Sequence, residues 1–515
     1  MSATDGKERI YRKTTHGILW NLFGKNVGFI LSFIFTILIA RELGPSEYGD
    51  YSFYRNTAAF LALFTILGLD QTMIHFIPAL RQRGDGGMLP GLMRKTFERI
   101  MTGTVIMIVL SLILFSIVPD SYGWDYAFPG RIMVLFIGVL IVITISGLFR
   151  GVMAGLFRQR DWNIVETVSI ISKLLMALLF LWLGYGLEGV LLAVVISYTF
   201  PSIIYYRMSK QELSQSERID STGRTWSDMK RYSLTMLIFT ASYIMLDNQI
   251  DIIMLKFLSG NSEAGHYNIA FRFAFISAMV IVGAIDGVLV PAFTSLGSRG
   301  RNHQRSTLRS SLRFTMFFLI PLSIAGMLFS DQLIRVFFGD EYESAVPMLQ
   351  VFYGTLVISI ALAWPLRFLM ISIGLEQRIL RLYVAYGMLN VAGNILLIPL
   401  YDGFGAVIAT GATSWMITLH LMFEVKRHGM LEFPGWFSLK SLMAACIASA
   451  PFLYVLGTGG EFNGILMLAF VYVIFCTTYL IMILLMKGIT IDEIQEIKGS
   501  VLGAKGQEDN LGDNN

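Results

Sequence analysis

The sequence predicts an all-α integral membrane protein of about fourteen transmembrane helices, arranged as two parallel six-helix repeats plus two extra C-terminal helices. Three observations predict it. Hydrophobic residues make up 55% of the 515 positions and charged residues only 15%, with a mean hydropathy of +0.62, a balance foreign to water-soluble domains. Apolar runs recur at about the twenty residues needed to cross ~30 Å of hydrocarbon. They are continuous rather than alternating, which argues against a barrel of ~10-residue strands. Finally, sliding the chain so that Gly44 meets Gly260, an offset of 216, matches residues in both halves.

The apolar runs fall at 17–40, 51–78, 100–118, 132–154, 164–184, 187–206, 233–257, 267–293, 314–330, 347–373, 382–400, 404–423, 441–457 and 464–486. Span 1 contains Lys25 and is followed by Arg41 and Glu42 instead of a small-residue cleavage site, so it reads as a retained helix, not a signal peptide. The chain then divides into a tail (1–16), a six-helix half (17–206), a connecting loop (207–232), a second six-helix half (233–423), spans 13 and 14 (441–486) and a polar tail (487–515) ending GQEDNLGDNN, whose composition predicts disorder.

Orientation follows from the loops, because Lys and Arg collect on the cytoplasmic side. Thirty of the forty basic residues lie in the two tails and the even-numbered loops, among them Arg81, Arg94, Arg158, Arg207, Arg305, Arg378 and Lys487, while the odd-numbered loops hold only Arg41, Arg131 and Arg335. Both termini are expected in the cytoplasm of a multi-pass cytoplasmic-membrane protein, which requires an even number of spans.

GPSEYGDY at 44–51 meets GNSEAGHY at 260–267 without a gap; Asp70 then falls on Asp286, Gly189 on Gly405, and, with a small gap, GLFRQR at 155–160 on GLEQR at 374–378. Spans 1 to 6 and 7 to 12 are therefore read as two copies. Six is even, so both enter the membrane in the same direction, and a substrate path is expected between them. Spans 13 and 14 lie outside the repeat, a candidate side groove for a lipid tail.

Several function classes find no support. A net charge of +4 spread over many loops does not suggest a nucleic-acid partner. Cys446 and Cys476 sit in apolar runs, where a thiol behaves as a small hydrophobe, and the six histidines lack zinc-ligand spacing. No nucleophile, base and orienter can be assembled for a membrane enzyme, whose catalytic loop would have to fit in about 25 residues at 207–231.

What remains are ionisable groups inside the spans, each costing roughly 2.5–3.5 kcal/mol on insertion scales unless it faces a cavity or a partner. Lys25 lies about two turns into span 1, and Arg55 and Arg272 about one turn into spans 2 and 8; on the repeat register Arg272 overlays Asn56. Arg367 and Lys173 are further candidates. Two readings stand for these bases: snorkelling to an interface, or lining a water-filled cavity where Arg clamps phosphate oxygens. Span 7 carries Asp247, Asn248 and Asp251, the two acids at i, i+4 on one face. Asn390 and Asn394 repeat that spacing on span 11, and span 12 adds Thr410 and Thr413. These oxygens can coordinate Na⁺ or relay a proton; equally they can serve as interhelical hydrogen bonds. Asp70 and Asp286 read as packing or gating groups. A drug antiporter would display acids rather than these bases.

ARELGPSEYGDYSF after span 1, FLSGNSEAGHYNIAFRFA after span 7, RVFFGDEYESAVPMLQ before span 10 and IPLYDGFGAVIATG into span 12 together resemble the polysaccharide-exporter, Wzx-type flippases of the multidrug/oligosaccharidyl-lipid/polysaccharide exporter superfamily. The resemblance covers nearly the whole chain. It implies a V-shaped, two-lobed transporter that moves polyprenyl-(pyro)phosphate-linked oligosaccharide from the cytoplasmic to the outer leaflet by alternating access. It further implies no cofactor beyond Na⁺ or H⁺ as coupling ion, and a monomer working among other polysaccharide-assembly proteins. In the similar lipid II flippases, bases on helices 1, 2 and 8 line the cavity, which points to Lys25, Arg55 and Arg272; their ion site on helices 7, 11 and 12 points to Asp251, Asn390, Asn394 and Thr410. A cation-coupled antiporter of the same superfamily and a polymerase or ligase are the alternatives.

Overall fold

The computed structural model describes residues 3–117, 130–213, 223–246, 248–294, 301–459, 462 and 464–488. All regular structure among them is helical, as a chain in lipid requires, since a helix closes its backbone hydrogen bonds within one segment. In order the helices are α1 Ala3–Ile66, α2 Leu69–Gln82, α3 Leu89–Ile117, α4 Gly130–Gly155, α5 Gln159–Trp182, α6 Gly186–Leu213, α7 Gly223–Leu246 and α8 Asn248–Leu258. They continue with α9 Asn261–Thr294, α10 Arg301–Leu328, α11 Ser330–Phe337, α12 Ala345–Phe352, α13 Ile358–Ser372, α14 Glu376–Arg427, α15 Gly435–Gly457 and α16 Ile465–Leu485. Short 3₁₀ and π turns complete the order, and the π turn Tyr353–Val357 joins α12 to α13 in one continuous span.

Eleven described helices are long and apolar enough to cross a membrane. Two of them bend in the middle and carry two spans each, α1 at Gly44 and α14 at Asp402; with span 7, shared between α7 and α8, these accommodate the fourteen expected. Both bends are backbone events. Gly44 adopts φ 70°, and Pro45 follows at the first helical position, where its missing N–H costs nothing. Asp402 takes φ 51° and ψ −137°, a conformation costly for an L-residue; its carboxylate accepts a hydrogen bond from Ser259 at 2.7 Å.

The duplication is written into these bends. Gly44 and Gly260, 216 apart, both have positive φ, and so do Gly186 and Asp402, at the same offset. After each of the latter pair, a glutamate caps the next helix. Glu47 accepts from the backbone N–H of Leu187, and Glu263 from Gly403 N at 3.2 Å; these pairs too are 216 apart. The left-handed residue of the third match is Phe157, which pairs with Gly374 at an offset of 217. Gly155 does not pair with Gly374, a correction to the register expected from GLFRQR, because the turn geometry and not the glycine letter is what the copies share.

Four further expectations are corrected. Span 2 is interrupted where Leu67 and Gly68 take positive φ between α1 and α2. Most of the connecting loop at 207–232 is helical, α6 running to Leu213 and α7 starting at Gly223. Both cysteines are exposed on outward faces of α15 and α16. The motif after each bend is helix rather than loop, so Arg55 and Arg272 lie eleven and twelve residues beyond Gly44 and Gly260, about 16–18 Å at 1.5 Å per residue. Counted from the bends, that is about three helical turns.

Packing between the halves is closest along α1 and α9. Their crossing is made by a symmetric pair: Gly49 rides on the backbone of Asn261, and Gly265 on that of Pro45, with no room for a Cβ at either. Small residues allow such close backbone approach in membranes. At the opposite end of the bundle the halves meet through α2 and α7, where Gly68 lies against Ser233 and His75 stacks on Tyr232 at 4.8 Å.

Candidate functional site

The close crossing of α1 and α9 places two polar clusters within the membrane-spanning region. The first lies on the seam. Ser52 and Asn268 are repeat equivalents, 216 apart, and face each other: Asn268 Nδ2 donates to Ser52 Oγ at 2.6 Å and to Tyr48 OH at 3.1 Å. Asn268 Oδ1 in turn accepts from Arg272 Nε at 3.1 Å, while Arg55 Nη1 reaches Asn56 Oδ1 at 3.4 Å. Lys173, on α5, is only 9% exposed and rests its ammonium on the Phe35 ring, 4.1 Å from the centroid. The charges of Arg55 and Arg272 both act on Lys173 and on Tyr51. Arg55 and Arg272 thus come from equivalent helices of the two copies onto one seam, with Lys173 against Phe35 of α1. Placing like charges together is unfavourable in a low dielectric unless an anion or water offsets them.

The second cluster surrounds Asp251, which is 1% exposed on α8. Asn394 Nδ2 donates to Oδ1 at 2.6 Å; Thr410 donates to Oδ2 at 2.8 Å, and the Tyr267 hydroxyl donates to the same oxygen. Asn394 also donates to Asn390 Oδ1 at 3.2 Å, and Asn390 to Thr410 Oγ1 at 3.2 Å. The bend at Asp402 brings the two arms of α14 side by side and so sets Asn390 and Asn394 against Thr410. Asn394 Oδ1 is buried and has no hydrogen-bond partner among the described residues. A wholly buried amide oxygen left so costs roughly 1–3 kcal/mol, which fits a group kept for a ligand; hard cations such as Na⁺ bind oxygen donors of this kind.

Other expected residues are placed elsewhere. Arg367 stacks over Trp364, 4.1 Å from its centroid, on its own helix α13. Asp70 opens α2, bonded to Gln71 at 3.2 Å, with α4 pressed on its backbone at Gly151. Asp247 and the side chains of Lys25, Asn248 and Asp286 lie outside the described residues, as does the tail beyond residue 488.

Sequence reasoning missed several members. Tyr267 carried a signal, since it is the repeat mate of Tyr51 in the matched motif. Asp50 and Lys256 carried none: they form a buried ion pair between the halves, joined by Asn261 Nδ2 at 3.1 Å, with Lys256 4.8 Å from the Phe53 centroid. Removing one member of a buried pair costs about 3–5 kcal/mol because the other charge remains. Asp50→Asn is thus expected to lower the midpoint of thermal unfolding in detergent, and Lys256→Met in the same chain to restore most of it. Failure of the second change to rescue would show that the pair is not what is lost. Arg150 was also missed; it sits half-buried within electrostatic reach of Glu166, Tyr205 and Asp70.

Comparison with known proteins places this geometry. A family model described as polysaccharide biosynthesis protein matches residues 14–297. A membrane protein of Methanocaldococcus jannaschii is 21% identical over 95% of this chain and 99% of its own length. A probable low-salt glycan biosynthesis flippase of Haloferax volcanii is 22% identical over 82% of this chain and 86% of its own. Among solved structures, the lipid II flippase MurJ in an inward closed conformation superposes with a TM-score of 0.71 at 16% identity, over 90% of this chain and 98% of that one.

Proposed function

This chain belongs to the polysaccharide biosynthesis protein family, and from that premise we propose that it is a flippase for lipid-linked oligosaccharide. It moves a polyprenyl-(pyro)phosphate-linked sugar from the cytoplasmic to the outer leaflet by alternating access between its two halves. It is a transporter rather than an enzyme, set in the cytoplasmic membrane with both termini inside. The observation that carries the reading is the meeting of Arg55 and Arg272, one from each copy, along the α1–α9 seam, with Lys173 against the same helix α1. An anionic phosphate is the ligand for which such a group is worth its insertion cost, and a guanidinium matches phosphate oxygens two at a time. A drug antiporter of the same superfamily fits less well, because cationic drugs would meet these bases.

Coupling is assigned to the Asp251 cluster, with Asp251, Asn390, Asn394 and Thr410 holding Na⁺, or Asp251 taking up a proton. Glycan-flippase names among the relatives support the substrate class.

The test is flipping of a fluorescent lipid-linked sugar in vesicles containing the purified protein. Arg55→Gln and Arg272→Gln are each expected to raise the half-saturating substrate concentration about tenfold, the worth of one ~1.4 kcal/mol contact. Transport by both variants at wild-type affinity removes the head-group role.

A further inference from the structure

The first half contains a lateral groove that neither cluster uses. Its volume is 860 Å³, and α3, α4 and α6 line it, a size in the ~300–1,000 Å³ range of small-molecule sites. It exists because α4 packs along α6 while α3 meets α4 only sparsely, so α3 and α6 stand apart as walls over a floor made by α4. The floor is apolar and closed: Val142 and Phe149 are buried. Phe97 on one wall, and Ile203 and Tyr206 on the other, are exposed toward the surroundings. The long axis is set by α6. From Thr199 to Lys210 the lining runs eleven residues, about 16 Å of helix rise, roughly half of a ~30 Å hydrocarbon core. At one end stand two bases, Arg94 from α3 and Lys210 from α6; Arg94 also holds Glu98 at 2.8 Å and remains largely exposed.

These features select one occupant. A partner transmembrane helix needs a face the full thickness of the membrane, whereas this groove ends near the middle. Its depth is that of one leaflet. Its walls match acyl chains, and its basic rim lies in the stretch of chain where the Lys and Arg of the even loops collect; basic pockets between transmembrane helices on that side attract anionic lipid head groups. We propose that the groove is a binding site for an anionic phospholipid of that leaflet, phosphate at Arg94 and Lys210, chains along α4. Such a lipid fills the gap that α3 leaves and braces the first half.

The test reads binding directly, so its outcome is independent of transport. The full-length protein, with a photoreactive benzophenone amino acid replacing Ile203, is placed in vesicles of equal parts phosphatidylglycerol and phosphatidylcholine and illuminated, and the adducts are weighed by mass spectrometry. At least threefold more phosphatidylglycerol adduct is expected, falling to parity in Arg94→Gln, Lys210→Gln chains whose total labelling is unchanged. The same probe at Leu466, exposed on α16, is expected to show no preference. No preference at Ile203, a preference that survives the double substitution, or displacement of phospholipid by lipid-linked sugar each overturns the proposal.

Discussion

Asp251→Asn is expected to lower coupled transport about thirtyfold and to erase the dependence on Na⁺ or pH that the wild-type chain shows. The change is isosteric, so packing around α8 survives. What it removes is specific. The carboxylate of Asp251 accepts from Asn394, Thr410 and Tyr267 on its two oxygens, whereas an amide offers one acceptor oxygen and turns an N–H toward a neighbour that is itself a donor. Hydrogen bonds to a charged group are worth roughly 1.5–3 kcal/mol each, and losing ~2 kcal/mol corresponds to about thirtyfold. Tyr267→Phe leaves the charge in place and is expected to cost only a few-fold. Vesicle flux measured across a series of Na⁺ concentrations and pH values checks both. A wild-type ion response in Asp251→Asn would assign the cluster to structure alone.

Gly49→Ala and Gly265→Ala are expected to cut transport at least tenfold each by wedging the two halves apart. The Cβ of either would be driven into carbonyl backbone, of Asn261 in one case and Pro45 in the other, and backbone cannot yield as a side-chain tip can. Overpacking costs about 1–3 kcal/mol, and here it falls on the contact that keeps one end closed. The same wedge is expected to expose Ser52, buried against Asn268 beneath the crossing. In a chain lacking Cys446 and Cys476, a Ser52→Cys thiol should react faster with a membrane-impermeant reagent once Gly49→Ala is added. Gly354→Ala is the control, since its nearest neighbour is the flexible Met327 side chain at 3.5 Å. Unaltered flux and reactivity in the wedge variants would mean that the crossing is not tight in the membrane.

The ion-binding candidates were readable to an unusual degree. Asp251, Asn390, Asn394 and Thr410 are polar residues in apolar runs at helical spacing, and few arrangements other than mutual contact satisfy such groups in hydrocarbon. The basic group was only half readable. Arg55 and Arg272 stood out by the same argument, but GPSEYGDY and GNSEAGHY look like loops, rich in Gly, Ser and charge, and are the first turns of helices. Lys173 was a candidate on the same ground, but the face a lysine presents depends on how α5 rolls against α1, so its place beside Phe35 was not legible.

By itself the sequence determined that this chain lies in a membrane, that it is all helical and many-spanning, that it is made of two copies, and which polar residues lie in the apolar segments. Hydrocarbon imposes these locally, through the length of each apolar run and the price of each charge. Only the tertiary structure decided which of those residues meet: that Tyr267 completes the Asp251 cluster, that Asp50 finds Lys256 across the seam, and that α3 stands off from α6 to leave a groove. Those outcomes depend on helix rotation and crossing, which are set by backbone approach at Gly49 and Gly265 and by the bends at Gly44 and Asp402, interactions between residues some two hundred positions apart that no window of the chain contains.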